Sequence, residues 1–155
     1  AIDIEQNRLE LAREFGADYI INPNEEKDII NKIKEITENR GADYVIEVAG
    51  TPDVINDGIK FLRIGGTYIL LGAIYPGNNF TVDSSEIITK CINISGRHNY
   101  DAIHLKNAIN IVQKSKEKFP YEKIVGPIFE FSKEGLEDAF NSLNSKKSLR
   151  PVIIP

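Results

Sequence analysis

Helical periodicity and short β-rich runs alternate from one end of the chain to the other, and this alternation constrains the fold more than any single residue. Leu11, Ala12 and Phe15 mark one face of a first helix over 5–15, and Gly16 stops it at the C-terminal cap. Tyr19, Ile20 and Ile21 read as a short strand, and Asn22-Pro23-Asn24 punctuates. Ile29, Ile30, Ile33 and Ile36 follow at helical spacing, with Gly41 ending that helix. Residues 44–48 form the next strand, whose near-continuous apolar character suits a sheet buried on both faces. Thr51-Pro52-Asp53 is a helix start: a hydroxyl cap, a proline at the first helical position and an early carboxylate. Val54, Ile55, Ile59 and Leu62 supply its apolar face, and Gly65-Gly66 turns the chain into a strand over 67–71.

After Gly72 the order loosens. Residues 74–79 are turn-rich, and Phe80, Thr81 and Val82 read as a short edge strand. A helix over 84–90 and a strand over 92–95 follow. Leu105, Ala108, Ile109 and Val112 mark an amphipathic helix. Residues 128–131 form a strand, Leu136, Ala139, Phe140 and Leu143 a last helix, and 152–154 a closing strand. Gly16-Ala17-Asp18-Tyr19 recurs as Gly41-Ala42-Asp43-Tyr44, the same helix-to-strand joint used twice. Strands alternating with helices over short loops imply parallel pairing with right-handed crossovers, so the fold class is α/β and doubly wound. With 155 residues and no linker or low-complexity stretch, a single domain over 1–155 is expected.

A net charge of −4 argues against a nucleic-acid binder. No apolar run approaches the roughly 18 residues of a membrane span. The first ten residues carry three carboxylates and no apolar segment of the kind a signal peptide needs, so the expected compartment is the cytoplasm. The lone Cys91 excludes an internal disulfide and any zinc site built from two or more cysteines of this chain. Methionine is absent, which fits either an initiator removed before a small residue, plus chance, or a chain that begins downstream of its gene's start, and the first residues favour the second.

Ala1-Ile2-Asp3 reads as the tail of a strand with a helix following at once. In a dinucleotide-binding fold the second strand ends in such an acid, which accepts hydrogen bonds from the adenosine ribose. A carboxylate there repels a 2′-phosphate, so NAD is preferred over NADP. Arg8, in the first turns of the helix, lies within reach of a ribose or phosphate. The glycine fingerprint expected roughly 20 residues before the acid is missing. Either the fold is another one, or it is Rossmann-like and its first strand, glycine turn and first helix lie upstream of Ala1.

Several segments, in order and at familiar spacings, carry a family resemblance: Ala1-Ile2-Asp3, residues 11–17, Gly41-Ala42-Asp43-Tyr44-Val45-Ile46-Glu47-Val48-Ala49-Gly50, Gly65-Gly66-Thr67-Tyr68-Ile69-Leu70-Leu71-Gly72, and Gly96 after a strand. Together they resemble the zinc-type medium-chain alcohol dehydrogenases, over nearly the whole chain and corresponding to the later part of the cofactor domain. The resemblance implies that Asp3 holds the adenosine ribose with Arg8 beside it. Val48, Ala49, Gly50 and Thr51 then form the loop under the adenosine and its ribose. Leu71, Gly72 and Ala73 line the nicotinamide side, Arg97 and Asn99 sit near that end, and Arg150 reaches the pyrophosphate. It implies a reaction in which NAD exchanges hydride with an alcohol, zinc polarising the oxygen in an N-terminal domain whose ligands no residue here matches. The isolated chain is therefore expected to be inactive. It also implies a homo-oligomer, with 80–82 (Phe80, Thr81, Val82) and 92–95 (Ile92, Asn93, Ile94, Ser95) as the pairing edge.

Blander readings stand beside these. Gly50 and Gly72 make turns only, and Arg150 is a solvated charge. Glu47, inside an apolar strand, needs a partner wherever it sits. His98 and His104 are surface or helix residues, and Cys91 is a small buried hydrophobe. None of the six tyrosines has lysine four residues later, which sets aside a short-chain dehydrogenase. A nucleotide-sensing or degenerate Rossmann domain without catalysis is the remaining alternative.

Overall fold

A computed structural model describes residues 1–77, 79–145 and 149–155. Asn78, in the turn-rich stretch expected over 74–79, lies outside the described residues. In chain order the elements are α1 (Gln6–Glu14), α2 (Ile29–Ile36), β1 (Ala42–Glu47), α3 (Pro52–Phe61), β2 (Leu62–Leu70), α4 (Ser84–Lys90), β3 (Asn93–Gly96), α5 (Ala102–Ser115), a 3-10 turn at Tyr121–Ile124, β4 (Ile128–Glu130), α6 (Lys133–Asn144) and β5 (Val152–Ile154). They fall into two compact units, one of residues 23–100 and one of residues 1–22 with 101–155. All paired strands run parallel, as the alternation requires.

In the 23–100 unit the sheet order is β1-β2-β3. Ile55, Ile59, Leu62, Tyr68 and Ile92 form its core, with Val45, Leu70, Ala73 and Val82 packed against them. The cover is one-sided. Tyr44 and Ile46, on the opposite face of β1, and Val48 just past its end are 69%, 57% and 71% exposed, so the expectation of burial on both faces does not hold for β1 within this chain. Side chains alternate across a strand, and α3 takes only the face that carries Val45 and Glu47. Val54 is exposed, and the buried apolar residues of α3 are Ile55, Ile59 and Phe61.

Gly65-Gly66 is no turn ahead of a strand. β2 already begins at Leu62, which pairs with Ala42, and the register breaks before Tyr44 meets Thr67. The intervening residues bulge out. Leu62 is therefore a strand residue with extended backbone, buried in the core, and not part of the helix face. Arg63, in the bulge, donates from Nε to Asp43 Oδ1 at 2.6 Å, and Arg40 forks onto both Asp43 oxygens at 2.7 and 2.8 Å. These hydrogen bonds, from Arg40 first and then Arg63, hold the Asp43 carboxyl below its ordinary range.

Four other local expectations change. Helix α2 ends at Ile36, and Gly41 closes the turn that follows, its N–H donating to Thr37 Oγ1 at 2.9 Å. Thr51 occupies the N-cap of α3 without a side-chain capping bond. Residues 80–82 form no strand: Val82 packs on the core, and Asp83 at once caps α4 by accepting from Ser85 N–H at 2.8 Å. Cys91 is exposed, because it is the left-handed C-cap of α4 (φ 51°) and not a core position.

In the other unit the strand expected over 19–21 shrinks to a parallel bridge between Ile2 and Ile21. Ile21 N–H donates to the Ala1 carbonyl at 2.9 Å and Asp3 N–H to the Ile21 carbonyl at 3.3 Å. Leu9 is the buried anchor of α1. Phe15 stacks on Phe119 at 5.8 Å between centroids, with Tyr121 edge-on to both. β4 and β5 pair, and α6 packs on them through the buried Ala139. Helix α5 forms as expected, yet none of its residues is buried.

Candidate functional site

The C-terminal ends of β1 and β2 meet over one buried side chain. Glu47, the last residue of β1, is 3% exposed although it closes the apolar run Tyr44, Val45 and Ile46. Its carboxylate accepts from two loops. Gly50 N–H donates to Oε1, and Gly72 N–H donates to Oε2 at 3.3 Å. Its backbone carbonyl accepts from Leu71 N–H at 2.9 Å and Gly72 N–H at 3.1 Å. A buried carboxylate is tolerated only with such partners, and here Gly50 and Gly72 supply them as backbone donors from loops that follow a strand.

The loops approach so closely that only glycine fits at the crossing. A Cβ on Gly50 would lie 2.7 Å from the Gly72 carbonyl oxygen, and one on Gly72 would lie 2.5 Å from the Val48 carbonyl carbon. Gly50 also has φ 77°, which a larger residue adopts only with strain. These glycines do more than turn the chain: they bring Val48, Ala49, Gly50 and Thr51 against Leu71, Gly72 and Ala73. Val48, Ala49, Thr51 and Leu71 present exposed surface at this crossing. Arg97 N–H donates to the Leu70 carbonyl at 3.0 Å, which brings the end of β3 to the same edge of the sheet. The Arg97 guanidinium folds back on the Gly96 carbonyl at 2.9 Å, and Asn99 is exposed in a left-handed conformation (φ 58°).

In the other unit Asp3 and Arg8 are paired, with Nη1 and Oδ2 3.8 Å apart. Asp3 Oδ1 accepts from Glu5 N–H at 2.9 Å, which leads the chain from the Ile2 bridge into α1. Arg8 Nε is buried and has no hydrogen-bond partner among the described residues. A buried donor left unmet is costly. Arg150 is exposed, just before β5, its carbonyl accepting from Gly126 N–H at 2.8 Å.

The residues expected from sequence thus form two groups of known geometry, Asp3 with Arg8, and 48–51 with 71–73 and Arg97. Glu47, which joins the second group, was marked in the sequence only as an acid in need of a partner. Its signal is an acid closing an apolar strand with glycine three residues on. His98 is exposed, and His104 lies in α5, where its Nδ1 accepts from Asp101 N–H at 3.1 Å. Among the described residues, no group of three or more His, Cys, Asp or Glu side chains is placed to hold a metal ion. The described residues therefore offer no donor set that fits zinc. No described helix is long and apolar enough to cross a membrane.

Parallel strands with interleaved helices, and glycine-bearing loops gathered at strand C-terminal ends, define a Rossmann-like α/β class of domain. The family model described as zinc-binding dehydrogenase matches residues 1–114. The chain belongs to that family. It is 33% identical to D-xylulose reductase A of Aspergillus oryzae over 99% of this chain and 42% of that protein. It is 39% identical to L-threonine 3-dehydrogenase of Pyrococcus horikoshii over 59% of this chain and 26% of that protein. Among solved structures, an alcohol dehydrogenase zinc-binding domain protein from Burkholderia ambifaria superposes with a TM-score of 0.86 at 30% identity, over 100% of this chain and 41% of that one. An alcohol dehydrogenase from Thermotoga maritima gives 0.90 at 25% identity, over 99% and 42%. The chain spans about four-tenths of the length of these full-coverage relatives.

Proposed function

We propose that residues 1–155 are part of the NAD-binding, Rossmann-like domain of an NAD-linked alcohol dehydrogenase acting in the cytoplasm. The observation that carries the reading is the crossing of the 48–51 and 71–73 backbones at the C-terminal ends of β1 and β2, where open α/β sheets bind ligands. Asp3 accepts from the adenosine ribose, with Arg8 paired beside it. Residues Val48, Ala49, Gly50 and Thr51 lie under the adenosine and its ribose. Leu71, Gly72 and Ala73 offer backbone groups to the nicotinamide carboxamide, with Arg97 and Asn99 near that end, and Arg150 pairs with the pyrophosphate. Bound NAD supplies the acceptor for the hydride that leaves the alcohol carbon. The residues of this chain bind and orient; the metal chemistry belongs to a part of the protein outside it, so the isolated chain is inactive. Pairing of two copies along the free edge of β3 extends the sheet in a homo-oligomer.

The test is to supply the full-length gene product with NAD and a panel of alcohols, polyols and hydroxy amino acids, and to follow NADH absorbance. Reduction of NAD with at least one of them is expected. Saturable NADH binding without turnover on any would favour the nucleotide-sensing reading.

A further inference from the structure

We propose that Glu47 is a positioning residue that sets the distance between the two halves of the cofactor cradle, an inference that rests on the NAD-binding reading above. Its two carboxylate oxygens serve different loops: Oε1 takes Gly50 N–H, three residues on, and Oε2 takes Gly72 N–H, twenty-five residues on. One loop is assigned to the adenosine half of the cofactor and the other to the nicotinamide half. Each loop has its own strand behind it, so each keeps its local shape without the tie. The Glu47 carbonyl, accepting from Leu71 and Gly72 N–H, already holds the second loop to the end of β1; what the carboxylate tie fixes is the spacing of that loop from Gly50.

The glycine contacts set only a limit on closeness, since they are contacts of the Gly50 and Gly72 backbones pressed together. They prevent approach and do not prevent separation. The carboxylate supplies the restraint in the other direction. Ionised Glu has acceptors on both oxygens, whereas Gln has one acceptor oxygen and an NH2 donor, so it satisfies one loop and turns a donor toward the N–H of the other. Asp keeps the charge and loses one methylene of reach.

A dinucleotide bound at both ends gains affinity because its second half binds at high effective concentration, and that gain requires the two subsites at one fixed spacing. Loosening the spacing weakens the whole dinucleotide and leaves each half-ligand as it was. A residue that only supports the fold would weaken half and whole alike.

The experiment compares wild-type full-length protein with Glu47→Gln and Glu47→Asp, titrating each with NADH and with AMP. The expected result is an NADH dissociation constant raised at least about tenfold in Glu47→Gln, as loss of a charge-assisted hydrogen bond gives, with AMP affinity changed less than about twofold. Glu47→Asp is expected to fall between the two and keeps the test open if Glu47→Gln does not fold. Equal losses for NADH and AMP, or no loss for either, overturn the positioning role. Failure of the wild type to bind NADH overturns the NAD-binding reading, and this inference with it.

Discussion

Tyr68 is the residue whose surroundings are most fully specified. It is wholly buried, and its hydroxyl reaches the Val54 carbonyl only at 3.4 Å. Burial, then the charges of Glu47 and Asp57, push its hydroxyl pKa well up from the ordinary tyrosine value. The folded state thus holds this proton more tightly than the unfolded one. The stability it contributes is complete below the unfolded pKa of about 10 and is lost as pH rises beyond it. Tyr68→Phe is expected to remove part of the alkaline loss of stability, measured by denaturant melts across pH 8–11. At neutral pH, loss of so long a hydrogen bond is expected to cost under about 1 kcal/mol. Equal alkaline slopes for both proteins would contradict this. Glu47 sits nearby in the same low-dielectric surroundings, which is why its partners matter. The sequence marks it as an acid out of place, but not its partners. They are backbone N–H groups on two loops, and a main-chain donor carries no residue-type signature.

At the scale of elements, α3 and β2 are fitted through a glycine. A Cβ on Gly58 would lie 2.5 Å from Tyr68 Oη and 2.8 Å from its Cε2. In an isolated helix Gly→Ala stabilises by about 1 kcal/mol. Here the added methyl meets a side chain with no free space to move into, and overpacking costs about 1–3 kcal/mol. The second effect wins, so Gly58→Ala is expected to lower the melting temperature. Adding Tyr68→Phe removes the nearest atom, and the double variant is expected to be more stable than the sum of the single losses. Strict additivity would show that the helix and the ring do not touch as described. Elements with their own local punctuation were legible to the residue: α4 at 84–90 between an acidic cap and Cys91, and β5 at 152–154 before the final proline. Those depending on distant pairing were not. β2 starts five residues early because Leu62 finds Ala42 across the sheet, a pairing that Gly65-Gly66 conceals. Residues 80–82 have strand composition and no strand partner among the described residues, so packing of Val82 decides their conformation.

At the scale of the whole molecule, apolar surface is left uncovered in both units. Tyr44 and Ile46 on β1 and Val48 just after it are exposed, as are Ile103, Leu105, Ile109 and Val112 on α5, and Phe131 and Phe140 around α6. The α/β class and parallel pairing were legible from alternation alone, because period and loop length survive whatever covers the faces. Which faces are covered was not legible, since a buried strand and a strand awaiting cover have the same composition. The chain spans about four-tenths of its relatives, and its proposed part in the reaction is to hold NAD. That claim is tested most directly by titrating the full-length protein with NADH and with NADPH, followed by nicotinamide fluorescence, for wild type and Asp3→Asn. The account predicts saturable NADH binding, NADPH binding at least about tenfold weaker through repulsion between its 2′-phosphate and the Asp3 carboxylate, and a narrowed gap in Asp3→Asn. Absence of saturable binding by either nucleotide, or a preference that Asp3→Asn leaves unchanged, would contradict it.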